Sequence, residues 1–236
     1  MTSSIKVHPY RTARRPGASE HVANALRQAI VTLELRPGTP LDKAQLTTRF
    51  GVSRFPIAQA LNRLKTEGLV DIRPQSGSSV SLIRFTDLQE NFFMRRALEA
   101  EVAESLAQRG DEALLAELRR NLRYQKAAMD AGDWEGFHSL DFDFHDMMVA
   151  ALHYPRLHAI TESVRLALDR ARRLIGSPRR NAITYEEHLD IMEALEAGDG
   201  PQARKAMATH IDAVLIDLRS FGKEHPEEFA DIAPTG

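Results

Sequence analysis

The chain has 236 residues, 43% hydrophobic and 27% charged, enough for one large domain or two smaller ones with cores of their own. It contains no cysteine, which excludes disulfides and thiolate metal sites and is compatible with a reducing compartment. The net charge of −2 hides an asymmetry: the first 85 residues carry 13 Lys and Arg against 5 Asp and Glu, hence +8, and the remainder carry 18 against 28, hence −10. Opposite signs point to two modules with different partners, and the basic half to a polyanion, of which nucleic acid is the commonest. No apolar run approaches the roughly 20 residues that a bilayer crossing needs. The opening "MTSSIKVHPYRTARRPG" lacks the apolar centre of a secretory signal, so a cytoplasmic location is expected.

Residues 1–17 are polar, with Arg11, Arg14 and Arg15 at no helical period, and read as a flexible basic tail or an arm for DNA phosphates. Between Ala18 and Glu34, Val22, Leu26, Ala29, Ile30 and Leu33 recur at helical spacing before Pro37 and Gly38 stop the helix. Asp42 with Gln45 has the form of a capping box for a short helix ending at Gly51. Ser53 can cap a second helix, with Pro56 in its first turn and Ile57, Ala60, Leu61 and Leu64 on its buried side. Two helices joined by a glycine turn make a helix-turn-helix, and "LVDIRPQSGSSVSLI" adds a hairpin turning over Pro74 to Gly77. Together they predict a winged helix over residues 18–85. Such a fold reads the major groove with the start of its second helix, which selects Ser53, Arg54, Phe55, Gln59 and Arg63, while Ser76 and Gly77 at the hairpin tip can reach the minor groove or backbone of double-stranded DNA. A winged helix used for protein contacts is the plainer alternative.

The segment "FGVSRFPIAQALNRLKTEGLV" resembles the winged helix of the GntR family of bacterial transcription regulators. The resemblance rests on Gly51, Val52, Ser53, Arg54, Pro56, Ala60, Leu61, Arg63, Leu64, Glu67, Gly68, Leu69 and Val70. Phe55 stands where the family has threonine, and Ala58 where it has a second DNA-contacting arginine. These departures shift base preference, so the operator does not follow from the family pattern.

After Thr86 the texture changes to long helical periods punctuated by "RGDE", "AGDW" and "AGDG", each a glycine suited to a helix C-terminus followed by an aspartate suited to open the next. Six helices are predicted, near 87–109, 111–131, 133–153, 155–175, 182–197 and 201–221, with Pro178 breaking the chain after the fourth. Short connections between long helices imply an antiparallel all-α bundle over residues 86–222, followed by a polar tail over 223–236. The fold class is thus mainly α, a winged helix-turn-helix followed by a helical bundle.

In "SLDFDFHDMM", Asp141 and His145 lie one helical turn apart on the stripe of Phe137, Phe144 and Met148, a place where an ionised carboxylate needs a partner. His188 shares a stripe with Tyr185, Met192 and Leu195, and His210 with Met207 and Val214. Each histidine alone is ordinarily a hydrogen-bonded core residue. Convergence of all four suits a divalent ion, zinc first, with nickel and manganese as alternatives.

The same positions are similar to the FCD-type ligand domain found behind the winged helix in the FadR branch of the family, a resemblance covering about residues 18–221. It implies a homodimer, a bound metal, a small carboxylate effector that coordinates it, and repression as the usual sign of regulation. Arg95 matches the arginine that such domains turn into the cavity, although it can equally pair with Glu99. Two other readings stand beside an acid-sensing regulator: a regulator for which the metal itself is the signal, and a metal-dependent hydrolase. Hydrolysis needs a placed base, and the helical period turns Glu186 and Glu187 partly away from His188, so no enzyme is expected.

Overall fold

The computed structural model describes residues 17–73 and 77–232, and the chain divides into two compact units at Ser81 and Leu82. The basic segment 1–16, residues 74–76 with Ser76, and residues 233–236 lie outside the described residues.

The first unit contains α1 (Ala18–Val31), α2 (Lys43–Phe50), α3 (Arg54–Thr66), β1 (Val70–Arg73) and β2 (Gly77–Val80). α1 and α2 pack on α3 around Val22, Leu26, Ile30, Ile57, Leu61 and Leu64, the apolar positions at spacings of three and four. Asp42 caps α2 by accepting from the amides of Ala44 and Gln45, and Gly51 closes it at φ +62°, a conformation that favours glycine. Ser53 occupies the N-cap of α3 without a side-chain capping bond. The wing is antiparallel, with Val70 opposite Val80 and Arg73 opposite Gly77. α1 ends at Val31, short of the predicted Glu34. Leu33 takes φ +64° and the Leu35 amide returns to the Ala29 carbonyl at 2.9 Å, a reversal on a leucine that carries no sequence signal.

The second unit comprises α4 (Phe85–Arg109), α5 (Glu112–Ala131), α6 (Trp134–Ala150), α7 (Pro155–Leu174), α8 (Pro178–Glu196) and α9 (Gly200–Glu224). α4 packs against α7, α8 and α9, and α5 against α6 and α8, which turns the buried stripes of α4, α6, α8 and α9 toward one another. Gly110, Gly132 and Gly198 sit at φ +60°, +67° and +68°, and Asp111, Asp133 and Asp199 each accept an amide of the helix that follows.

Three expectations need correction. Pro178 begins α8 instead of delaying it to 182, because the first turn has no use for the missing N–H and Ser177 Oγ accepts from the Arg180 amide at 3.1 Å. α6 stops at Ala150, and His153 turns the chain at φ +56°. Residues 223–232 are no free polar tail. A 3-10 turn at Pro226–Glu228 leads to Phe229, 3% exposed and bridged to Ile83, and the Asp231 carboxylate caps α4 by accepting from the amides of Phe85 at 2.5 Å and Thr86 at 3.0 Å.

Candidate metal centre

α6 presents Phe137, Asp141, Phe144, His145 and Met148 as its buried face, α8 presents His188 between Thr184 and Ile191, and α9 presents His210 between Met207 and Val214. Packing these faces together buries all four polar groups: Asp141 and His145 are 1% exposed, His188 and His210 fully enclosed. One donor atom from each lies within 4.8 Å of the others. His145 Nε2 faces His210 Nε2 at 3.2 Å, and His188 Nε2 faces Asp141 Oδ1 at 3.6 Å. The ring of Phe144 stacks on His188 with centroids 4.4 Å apart.

The hydrogen bonds around the cluster leave a particular deficit. Arg172, from α7, donates to Asp141 Oδ2 at 2.5 Å, but Asp141 Oδ1 and His188 Nε2 are buried without a partner. Buried polar groups are nearly always satisfied, so two orphans on either side of one point mark a place for a bound species. Imidazole nitrogens and a carboxylate oxygen are the donor set of a borderline divalent ion, and the residues fit one.

Burial pushes the Asp141 carboxyl up, but the Arg172 guanidinium and the three neighbouring histidines together outweigh it and hold the group well below the usual carboxylate range. Burial depresses His188 and His210 to about 3, the neighbouring His210 adding to the effect on His188 and Arg95 to that on His210. Burial and then Arg95 push His145 well down. The histidines are therefore neutral at ordinary pH, the state in which imidazole ligates a metal.

Arg95 is 1% exposed, and its Nε donates to Glu99 at 2.9 Å, the pairing that its spacing allows; its Nη1 is left without a partner. Arg96 is half-exposed and pairs with Asp212 at 3.0 Å. Four contacts around the cluster were not expected from the sequence. Glu99 Oε2 lies 2.8 Å from His145 Nδ1 without a hydrogen bond between them. Gln125 Oε1 accepts from His188 Nδ1 at 3.0 Å. Arg172 stands in the run "RARRL", where periodicity alone does not single it out. Glu187, beside His188 in sequence, reaches instead to His210 Nδ1 at 2.8 Å, a contact across helices that the period of α8 does not predict. A signal did exist for Gln125, since it follows Leu115, Leu118 and Leu122 on the buried stripe of α5.

In the first unit, Ser53, Arg54, Phe55, Gln59 and Arg63 are all exposed, on the side of α3 opposite Ile57, Ala60, Leu61 and Leu64; Phe55, a large aromatic, is 70% exposed. Arg63 is held by Glu67 at 3.3 Å, which Arg27 also engages at 2.7 Å. Gly77 opens β2 at φ +92° and is exposed.

A helix-turn-helix with a two-stranded wing, joined to a helical unit that gathers metal-type ligands in its core, is the build of a ligand-sensing transcription regulator. Comparison with known proteins gives the family. Residues 18–80 match the family model "Bacterial regulatory proteins, gntR family" and residues 90–213 match the FCD domain. The chain is 30% identical over 235 residues to the HTH-type transcriptional repressor RspR of Escherichia coli strain K12, covering 98% of this chain and 100% of that one. It is 36% identical over 211 residues to an HTH-type transcriptional regulator in an unstable DNA locus of Streptomyces ambofaciens, covering 89% of each. The crystal structure of a GntR-type regulator from Rhodococcus sp. RHA1 superposes with a TM-score of 0.68 at 23% identity, covering 86% of this chain and 97% of that one. The chain belongs to the GntR family of transcription regulators, with an FCD domain as its second unit. No helix among the described residues is long and apolar enough to cross a membrane.

Proposed function

We propose that this regulator senses a small organic acid through a divalent metal held by Asp141, His145, His188 and His210, zinc being the ion that best suits three imidazoles and a carboxylate. The observation that carries the reading is the pair of orphaned donors, Asp141 Oδ1 and His188 Nε2, facing each other at 3.6 Å inside the bundle. The bound cation supplies a Lewis-acidic site for a carboxylate. Arg95 contributes a guanidinium whose free Nη1 can bind the same anion, and Glu99 fixes that side chain in place. In the first unit, Arg54, Phe55, Gln59, Ser53 and Arg63 read or grip the major groove, and the wing at Gly77 approaches the backbone. Two chains pair to address two half-sites, and the acid changes DNA affinity to the extent that it binds one arrangement of the dimer better than the other. Like RspR, which is named a repressor, this chain represses in the absence of its acid.

The test is a DNA-binding titration on duplex sites selected from a random pool, run with chelator, then zinc, then candidate acids. The reading expects acids to shift DNA affinity only for the zinc-loaded protein and to lose that effect in Arg95→Ala. If zinc alone switches DNA binding and no acid adds to it, the metal is the signal instead.

A further inference from the structure

The direction in which the histidines present their nitrogens is set by polar groups behind them, and the chain of bonds can be read from an end that cannot flip. The carbonyl of Leu140, immediately before Asp141, only accepts; Asn121 therefore turns Nδ2 toward it, at 3.0 Å. Asn121 Oδ1 then accepts from Gln125 Nε2 at 2.7 Å, which leaves Gln125 Oε1 to accept from His188 Nδ1 at 3.0 Å. The polarity of one backbone carbonyl on α6 thus passes through two side chains of α5 and fixes the proton of His188 on Nδ1. Its Nε2 lone pair is left toward Asp141.

A second relay acts on α9. Glu187 Oε2 takes hydrogen bonds from the Arg180 guanidinium and from His210 Nδ1, the latter at 2.8 Å, so His210 also carries its proton on Nδ1 and turns a bare Nε2 inward. Arg180 is in turn held by Asp217 at 2.9 Å and Thr184 at 3.1 Å. Meanwhile Arg172 occupies Asp141 Oδ2, leaving Oδ1 as the free oxygen. In His188, His210 and Asp141 the atom turned inward is the one that the outer partner leaves open.

We propose that Gln125 and Glu187 are positioning residues of the metal centre, which hold His188 and His210 as Nδ1–H imidazoles so that both ligate through Nε2. Groups behind metal ligands orient the ring and raise its basicity. This rests on the metal reading above, and the experiment separates the two. Long-range nitrogen–proton NMR on the chelator-treated full chain, labelled at histidine, should show His188 and His210 as Nδ1–H tautomers; an Nε2–H signal from either overturns the assignment whether or not metal binds. Zinc titration of the same protein should then give affinity about 10- to 100-fold weaker for Gln125→Leu and for Glu187→Ala than for the unaltered chain, whereas Glu187→Gln, which keeps an acceptor oxygen, stays close to it. Equal zinc affinity in all variants overturns the positioning role. Failure of the unaltered chain to take zinc, with the tautomers as stated, defeats the metal reading and this role with it. Circular dichroism and urea unfolding of each metal-free variant check that a loss is not misfolding, and the tautomer measurement needs no variant.

Discussion

Asp141 shows what a single buried side chain demands of its surroundings. Its carboxylate is 1% exposed, and Arg172, from another helix, is its only counter-charge at hydrogen-bonding distance among the described residues. Asp141→Ala leaves that guanidinium buried and unpaired, and the expected loss is about 3–5 kcal/mol of unfolding free energy in chelator, read from urea curves. Protons act on the same cluster. His188 and His210 are depressed to about 3 in the folded chain and titrate near 6.5 when unfolded. Between those values the unfolded state binds more protons, so stability rises with pH and is lost as pH falls from 6.5 toward 3. Asp141, depressed by Arg172, loses its own contribution still lower, as pH drops below the unfolded carboxylate value. Metal-free protein should therefore unfold at lower urea at pH 4.5 than at pH 7.5, and a flat profile would show that the imidazoles are not buried neutral. At this scale Asp141, His145, His188 and His210 were legible because each is polar on an apolar stripe. Arg172 and Glu187 were not, since a long side chain crosses between helices in ways that its own helix does not record.

Among the elements, boundaries were legible wherever backbone chemistry is spelled by residue type. Glycine followed by aspartate marked three junctions correctly, because one residue accepts positive φ and the next caps. Gly132→Ala tests this: a Cβ there meets nothing closer than Trp134 at 3.8 Å, so the cost is conformational, about 1–2 kcal/mol by thermal or urea unfolding. Other boundaries obey other signals. Pro178 opens a helix because it lies just after a capping serine, and Leu33 and His153 reverse the chain without glycine. Asp231 caps α4 from 145 residues away, a contact that no local pattern encodes. Asp231→Ala should cost about 1 kcal/mol, typical of a lost N-cap, measured in the same way.

For the molecule as a whole, the charge asymmetry and the change in periodicity near Thr86 anticipated two units, and the structure divides at Ser81 and Leu82. The family followed from the match of "FGVSRFPIAQALNRLKTEGLV" together with the four ligand-type residues, and both family models agree. The two tasks should be separable by mutation. Arg54→Ala is expected to weaken duplex binding by about 1–3 kcal/mol in fluorescence anisotropy while leaving zinc affinity unchanged. Binding by the unaltered chain should weaken steeply with salt, as phosphate contacts release counterions. The most direct measurement is the metal content of the purified full chain, by elemental analysis with native mass spectrometry after exposure to zinc and exhaustive dialysis. The account predicts about one divalent ion per chain and none in a variant carrying Asp141→Ala and His210→Ala. An unaltered chain that emerges folded and free of metal would contradict it.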